Sequence, residues 1–128
     1  MTNTDTGEVI ETETNVIRQA ISSQTCEYLL DIMQSAVDSG YIYAQVEGYN
    51  VAGKSGTSEP TDSNTDAGYV ASFVAIAPAE NPRVVILVTL YDPTLVSYQG
   101  SQTAGPTASK ILSEVLPYLG IETDQETE

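Results

Sequence analysis

The run Lys54-Ser55-Gly56-Thr57 sets an amine, two hydroxyls and a glycine side by side in a segment that reads as a strand. Successive side chains of a strand alternate, so Lys54 and Gly56 belong to one face and Ser55 and Thr57 to the other, unless a twist or bulge at the glycine redirects one of them. At a sheet edge such a strand can pair with the backbone of an extended peptide, and Gly56 lets that backbone come close because it carries no Cβ. Other groups that do chemistry are scarce. The chain has no histidine, which removes imidazole metal ligands and Ser-His-Asp arrangements, and its one cysteine, Cys26, cannot form an internal disulfide. No cofactor is implied. Thr107-Ala108-Ser109-Lys110 brings hydroxyls close to an amine near the start of the last predicted helix, where it reads as surface chemistry with Lys110 solvated.

The elements that must position this strand follow from periodicity. Ser22 and Ser23 can each cap a helix by accepting a bond from its first free amides. Cys26, Leu29, Leu30, Met33 and Val37 then recur at helical spacing, and Gly40 is expected to supply a left-handed stop. Cys26 lies on the apolar stripe of this helix and is expected to be a small buried packing group. From Tyr41 onward β-prone runs alternate with turns. The motif strand is followed by a loop from Ser58 to Gly68, rich in Ser, Thr, Asp and Pro, in which Asp62 to Asp66 read as solvated. Tyr69 to Ala77 and Arg83 to Tyr91 read as two strands of an antiparallel hairpin, and the apolar run Val84 to Val88 suggests burial on both faces. Gly105-Pro106 is expected to open a final helix, with proline in the first helical position, a tightened or kinked turn at Pro117, and Gly120 ending it. Ala108, Ile111, Leu112, Val115, Leu116 and Leu119 would share its apolar face. The expected fold class is α+β, an antiparallel sheet of about three strands packed by an N-terminal and a C-terminal helix.

A chain of 128 residues, 41% of them hydrophobic, has room for one domain with a real core. That core must be mostly aliphatic, because tryptophan is absent and only nine residues are Tyr or Phe. Four Lys and Arg against 18 Asp and Glu give a net charge of −14, which argues against nucleic acid as a partner. Residues 1–14 and 122–128 are acidic and read as solvated tails. Neither an apolar run of transmembrane length nor a charged-then-apolar leader is present.

In order and spacing these segments resemble the transpeptidase domain of penicillin-binding proteins of the class B, division-and-elongation type, part of the wider β-lactamase/transpeptidase-like family. Tyr49-Asn50-Val51-Ala52-Gly53-Lys54-Ser55-Gly56-Thr57 resembles that family's third motif, usually Lys-Thr-Gly or Lys-Ser-Gly. Val16 to Ser22 ahead of a helix, Ala71 to Pro78, Thr103-Ala104-Gly105-Pro106 and Leu116 to Ile121 each look like their counterparts. The resemblance therefore runs from Asn15 to Ile121 and corresponds to the C-terminal part of the domain.

The resemblance implies that Lys54 supplies positive potential and that the hydroxyls of Ser55 and Thr57 bind the carboxylate of a β-lactam or of a D-Ala-D-Ala stem peptide. It implies that the Thr57 amide is one oxyanion donor. The reaction of the parent would be acyl transfer through a serine ester, releasing D-alanine and joining two stem peptides. The family's nucleophile belongs to Ser-x-x-Lys and its second motif is Ser-x-Asn; neither occurs in this sequence, so the chain alone is expected to be inactive. Two functions follow, a C-terminal piece of a D,D-transpeptidase of peptidoglycan cross-linking or a non-catalytic binding module derived from the same fold. The family's sheet has five strands, which implies a free edge along Arg83 to Tyr91, and with it a homodimer, a strand swap, or a folding back of Asn15 to Ile21. Family members are anchored in the cytoplasmic membrane with the catalytic domain outside.

Overall fold

The computed structural model describes residues 15–60, 68–94 and 97–123. Ser22 opens the first helix, α1 (Ser23–Ser39): its backbone is extended and its hydroxyl accepts from the Thr25 amide at 3.1 Å, satisfying one of the amides left over in a first turn. The expected left-handed stop is absent. Gly40 has φ −126° and ψ −31°, and α1 ends because the amides of Gly40 and Tyr41 both bond to the Ala36 carbonyl, at 2.9 and 3.0 Å. A Cβ on Gly40 would sit 3.2 Å from that oxygen, so close approach explains the glycine better than its freedom in φ.

Cys26 is exposed, which overturns its expected burial. Spacing places a residue on a stripe but does not say how far the covering surface extends. The core is reached at the C-terminal end of α1, where Val37 is fully buried; Leu30 and Met33 are partly covered, and Tyr28, Leu29 and Ile32 face solvent.

After a single 3-10 turn at Ile42–Ala44 come three antiparallel strands, β1 (Ala52–Ser58), β2 (Val70–Ala77) and β3 (Val84–Tyr91), in that spatial order. Central β2 alternates cleanly. Ala71, Phe73, Ala75 and Ala77 are buried on the helix-covered face, while Ser72, Val74 and Ile76 are half-buried on the opposite face. Phe73, the one phenylalanine, is the largest fully buried side chain and meets the Tyr41 ring edge-on, with centroids 5.6 Å apart.

β3 is not buried on both faces. Val84, Ile86, Val88 and Leu90 are partly covered and pack against the core, whereas Val85 and Leu87 remain 66% and 69% exposed. The helices cover one face only, and among the described residues β3 is an outer strand. Residues 15–21 do not fold back over it: they have no regular structure, and Ile17 is 89% exposed.

The last helix, α2 (Gly100–Tyr118), begins earlier than the Gly105-Pro106 start expected from sequence. Its first turn closes through the Gln102 and Thr103 amides on the Gln99 carbonyl, at 3.0 and 3.1 Å. Pro106 consequently lies inside the helix, where it has no amide to offer the Gln102 carbonyl. The extra turn is held by packing of small residues that carry little hydrophobic signal. Gly100, Ala104, Gly105 and Ala108 are buried and continue into Leu112 and Leu116. Ile111 and Leu119, expected on this face, are exposed instead. The end of α2 is as expected: Gly120 has φ 68°, and its amide bonds to the Pro117 carbonyl at 2.9 Å in a tightened last turn.

Candidate substrate-binding strand

β1 is an edge strand whose one strand partner among the described residues is β2. Lys54, Ser55, Gly56 and Thr57 stand opposite Val74, Phe73, Ser72 and Ala71. Directly paired residues of an antiparallel ladder share a face. Ser55 and Thr57 therefore lie on the helix-covered side with Phe73 and Ala71, and Lys54 and Gly56 on the other, as alternation predicts. No bulge interrupts the register.

The side chains of the motif are held differently. Lys54 is exposed, and its Nζ donates to the Ser55 carbonyl at 2.7 Å, which folds the ammonium back along its own strand. Thr57 is also exposed, but its Oγ1 accepts from the Gly100 amide at 3.2 Å, so the first residue of α2 touches the motif. A Cβ on Gly56 would sit 2.6 Å from the Ser72 Oγ, a half-buried hydroxyl that can rotate aside, so packing alone does not demand glycine there. Lys54 is one of only four cationic residues in the chain, with Arg18, Arg83 and Lys110.

The structure adds residues that sequence reasoning missed. Gly100 is buried where a Cβ would overlap the Ser72 carbonyl and come within 2.5 Å of the Gly56 carbonyl. Tyr69, just before β2, stacks on Tyr98, just before α2, with centroids 4.3 Å apart and planes 22° from parallel. The Asp92 amide donates to the Tyr69 carbonyl at 2.8 Å, tying the end of β3 to the same corner. Tyr69 was read only as the start of a strand, and no sequence signal pointed to Tyr98 or Gly100, because residues 92–104 have neither helical nor strand periodicity. Ser109 and Lys110 lie within α2 rather than at its start; Ser109 donates to the Gln45 carbonyl at 2.6 Å and Lys110 is exposed. The acidic stretch from Asp62 to Asp66 lies outside the described residues, as do residues 1–14 and 124–128 of the acidic ends.

Two helices over one face of a three-stranded antiparallel sheet, with the Lys-Ser-Gly-Thr run on an outer strand, define an α+β class, and comparison with known proteins names the family. The penicillin binding protein transpeptidase domain matches residues 3–113. The chain is 36% identical over 114 residues to a probable peptidoglycan D,D-transpeptidase, PbpC, of Pseudomonas aeruginosa, and 32% identical over 107 residues to the stage V sporulation protein D of Bacillus subtilis. It superposes with a TM-score of 0.75 at 32% identity on the transpeptidase domain of penicillin-binding protein 3 from Burkholderia pseudomallei. A peptidoglycan synthetase from Bifidobacterium adolescentis superposes with a TM-score of 0.78 at 29% identity. This chain belongs to the penicillin-binding protein transpeptidase family.

The matches cover most of this chain but a minor share of each relative. They take in 86% of the chain and 20% of PbpC, and 88% of the chain and 37% of the Burkholderia domain. Among the described residues, no helix is long and apolar enough to cross a membrane.

Proposed function

We propose that the chain is the C-terminal, ligand-recognising part of a peptidoglycan D,D-transpeptidase, spanning residues 15–121 between acidic ends, with Lys54, Ser55, Gly56 and Thr57 as its binding strand. The observation that carries this reading is the motif on a strand that is outermost among the described residues, with its hydroxyl side against the first residue of α2. In this reading Lys54 contributes positive potential in an otherwise acidic chain, and the Ser55 and Thr57 hydroxyls donate to the carboxylate of a D-Ala-D-Ala stem peptide or of a β-lactam. The Thr57 amide is an oxyanion donor, worth about 3 kcal/mol when such a group acts in a complete site.

The nucleophile comes from elsewhere in the parent molecule, since Ser-x-x-Lys and Ser-x-Asn are absent from this sequence. The parent acts outside the cytoplasmic membrane, to which it is anchored. Separated from the rest of the domain, the chain pairs with a second copy along the open edge of β3.

Intact-mass analysis after incubation with benzylpenicillin, beside a binding titration of the same compound, tests the reading. No covalent adduct is expected, together with weak saturable binding that Lys54→Gln or Thr57→Val abolishes. An adduct of one drug equivalent would place a nucleophile in this chain and sink the proposal. Neither adduct nor binding would mean that the strand recognises nothing without its missing partner segments.

A further inference from the structure

We propose that Gly100 is a positioning residue for the motif strand: its amide fixes the Thr57 hydroxyl so that the hydroxyl proton is presented to an anionic ligand. The inference rests on the reading of β1 as a carboxylate-binding strand and assigns a role to a residue outside the motif.

A threonine hydroxyl has one proton to donate and lone pairs to accept, and left alone it rotates to suit either partner. Here one lone pair is occupied, because the Gly100 amide donates to Thr57 Oγ1 at 3.2 Å. An N–H donor on the helix side turns the proton away from itself. Thr57 is exposed, so the remaining direction is the open edge of the sheet. A hydroxyl held in this way keeps its proton and one lone pair, and with one acceptor position already taken the proton is the group it offers to a carboxylate oxygen. Lys54 supplies charge without such geometry, since its ammonium is turned back onto the Ser55 carbonyl.

The need for glycine at position 100 is steric. Any other residue would drive a Cβ into the Ser72 and Gly56 carbonyls, so α2 would have to withdraw from β1 and β2 and take the amide out of reach of Thr57. The amide belongs to a first helical turn and has no carbonyl acceptor within α2, so Thr57 meets its requirement as well. The Tyr69 and Tyr98 stack closes the corner two residues ahead of Gly100 and anchors the chain where it enters α2.

The test uses the isotopically labelled chain in solution, as wild type, Thr57→Val and Thr57→Ser. Valine preserves the shape of threonine and removes the acceptor; serine keeps the acceptor. In the absence of ligand, hydrogen exchange at the Gly100 amide should quicken about tenfold in Thr57→Val and stay near the wild-type rate in Thr57→Ser. The chain is then titrated with N-acetyl-D-Ala-D-Ala and with its C-terminal amide. Wild type and Thr57→Ser should prefer the carboxylate, and Thr57→Val should lose that preference by about tenfold. A Gly100 amide indifferent to Thr57→Val overturns the positioning role and leaves the carboxylate reading standing. A wild-type chain that takes up neither peptide overturns that reading and the inference built on it, whatever the exchange at Gly100 shows.

Discussion

Lys54 and Thr57 are three positions apart on one exposed strand, yet only Thr57 is tied to another element, so equal losses at the two positions should have different meanings. A Lys54 change removes potential and should weaken every anionic ligand alike, whereas a Thr57 change should discriminate among ligands by their donor and acceptor pattern. Gly53 is a third kind of residue, structural and one place before the motif. A Cβ on it would meet the Phe73 ring at 2.6 Å and a Val37 methyl at 3.0 Å, all three groups being buried. Gly53→Ala should therefore destabilise the fold by roughly 1–3 kcal/mol through overpacking, read as a lowered urea midpoint with an unchanged slope. An unchanged midpoint would mean that Phe73 has room to move, and the account of a filled contact between α1 and the sheet would be wrong. The strand that carries the motif and a serine cap at Ser22 or Ser23 were legible in the sequence because each follows from residue types at fixed positions, and the structure takes Ser22. The burial of Cys26 was misread because it depends on what lies opposite, which spacing does not report.

Elements differ in how much of their pattern the fold uses. The strand limits of β2 and β3 were readable to within a residue, since alternation and the turn from Pro78 to Pro82 mark them strongly. The start of α2 was not, because its first turns are built from Gly100, Ala104 and Gly105, residues whose value is closeness rather than hydrophobicity. The sequence rule that places proline at a helix start then pointed to Pro106, which in fact lies inside the helix. Replacing it by alanine restores a donor to the Gln102 carbonyl, and interior proline costs about 3 kcal/mol against alanine. Some ring packing is lost, so Pro106→Ala should raise the stability by about 1 kcal/mol, measured as a higher midpoint in thermal unfolding. A lower midpoint would show that the ring is packed more tightly than its partial exposure indicates. On α1 the contrast is between its two ends: Val37→Ala removes fully buried methyl groups and should cost about 2 kcal/mol. Ile32→Ala removes more atoms from a side chain 65% exposed and should stay within about 0.5 kcal/mol in the same urea titration. Equal costs at the two positions would mean that α1 is covered along its whole length.

Charge and the edge of β3, which has no strand partner beyond β2 among the described residues, act against each other at the scale of the whole molecule. Val84 to Tyr91 is an uncharged, proline-free outer strand, with Val85, Leu87 and Tyr91 exposed along it, and so lacks the features that keep strand edges apart. The net charge of −14 on each copy repels a second one. Arg83 is the one cation beside the edge, and in an antiparallel pairing of two β3 strands centred on Leu87 it falls opposite Tyr91 of the other copy, a cation facing an aromatic ring. If the proposed dimer forms through this edge, sedimentation should show a monomer in dilute low-salt solution that shifts toward dimer as the concentration rises. Screening of the net charge by salt should favour the dimer further. Leu87→Lys should abolish the shift while leaving the urea midpoint within about 0.5 kcal/mol, since the side chain is 69% exposed in the free chain. A wild-type chain that stays monomeric at all concentrations and salt levels would sink the dimer. Slow exchange in that monomer of the backbone amides of 84–91 that point away from β2 would further mean that the strand finds cover within its own chain.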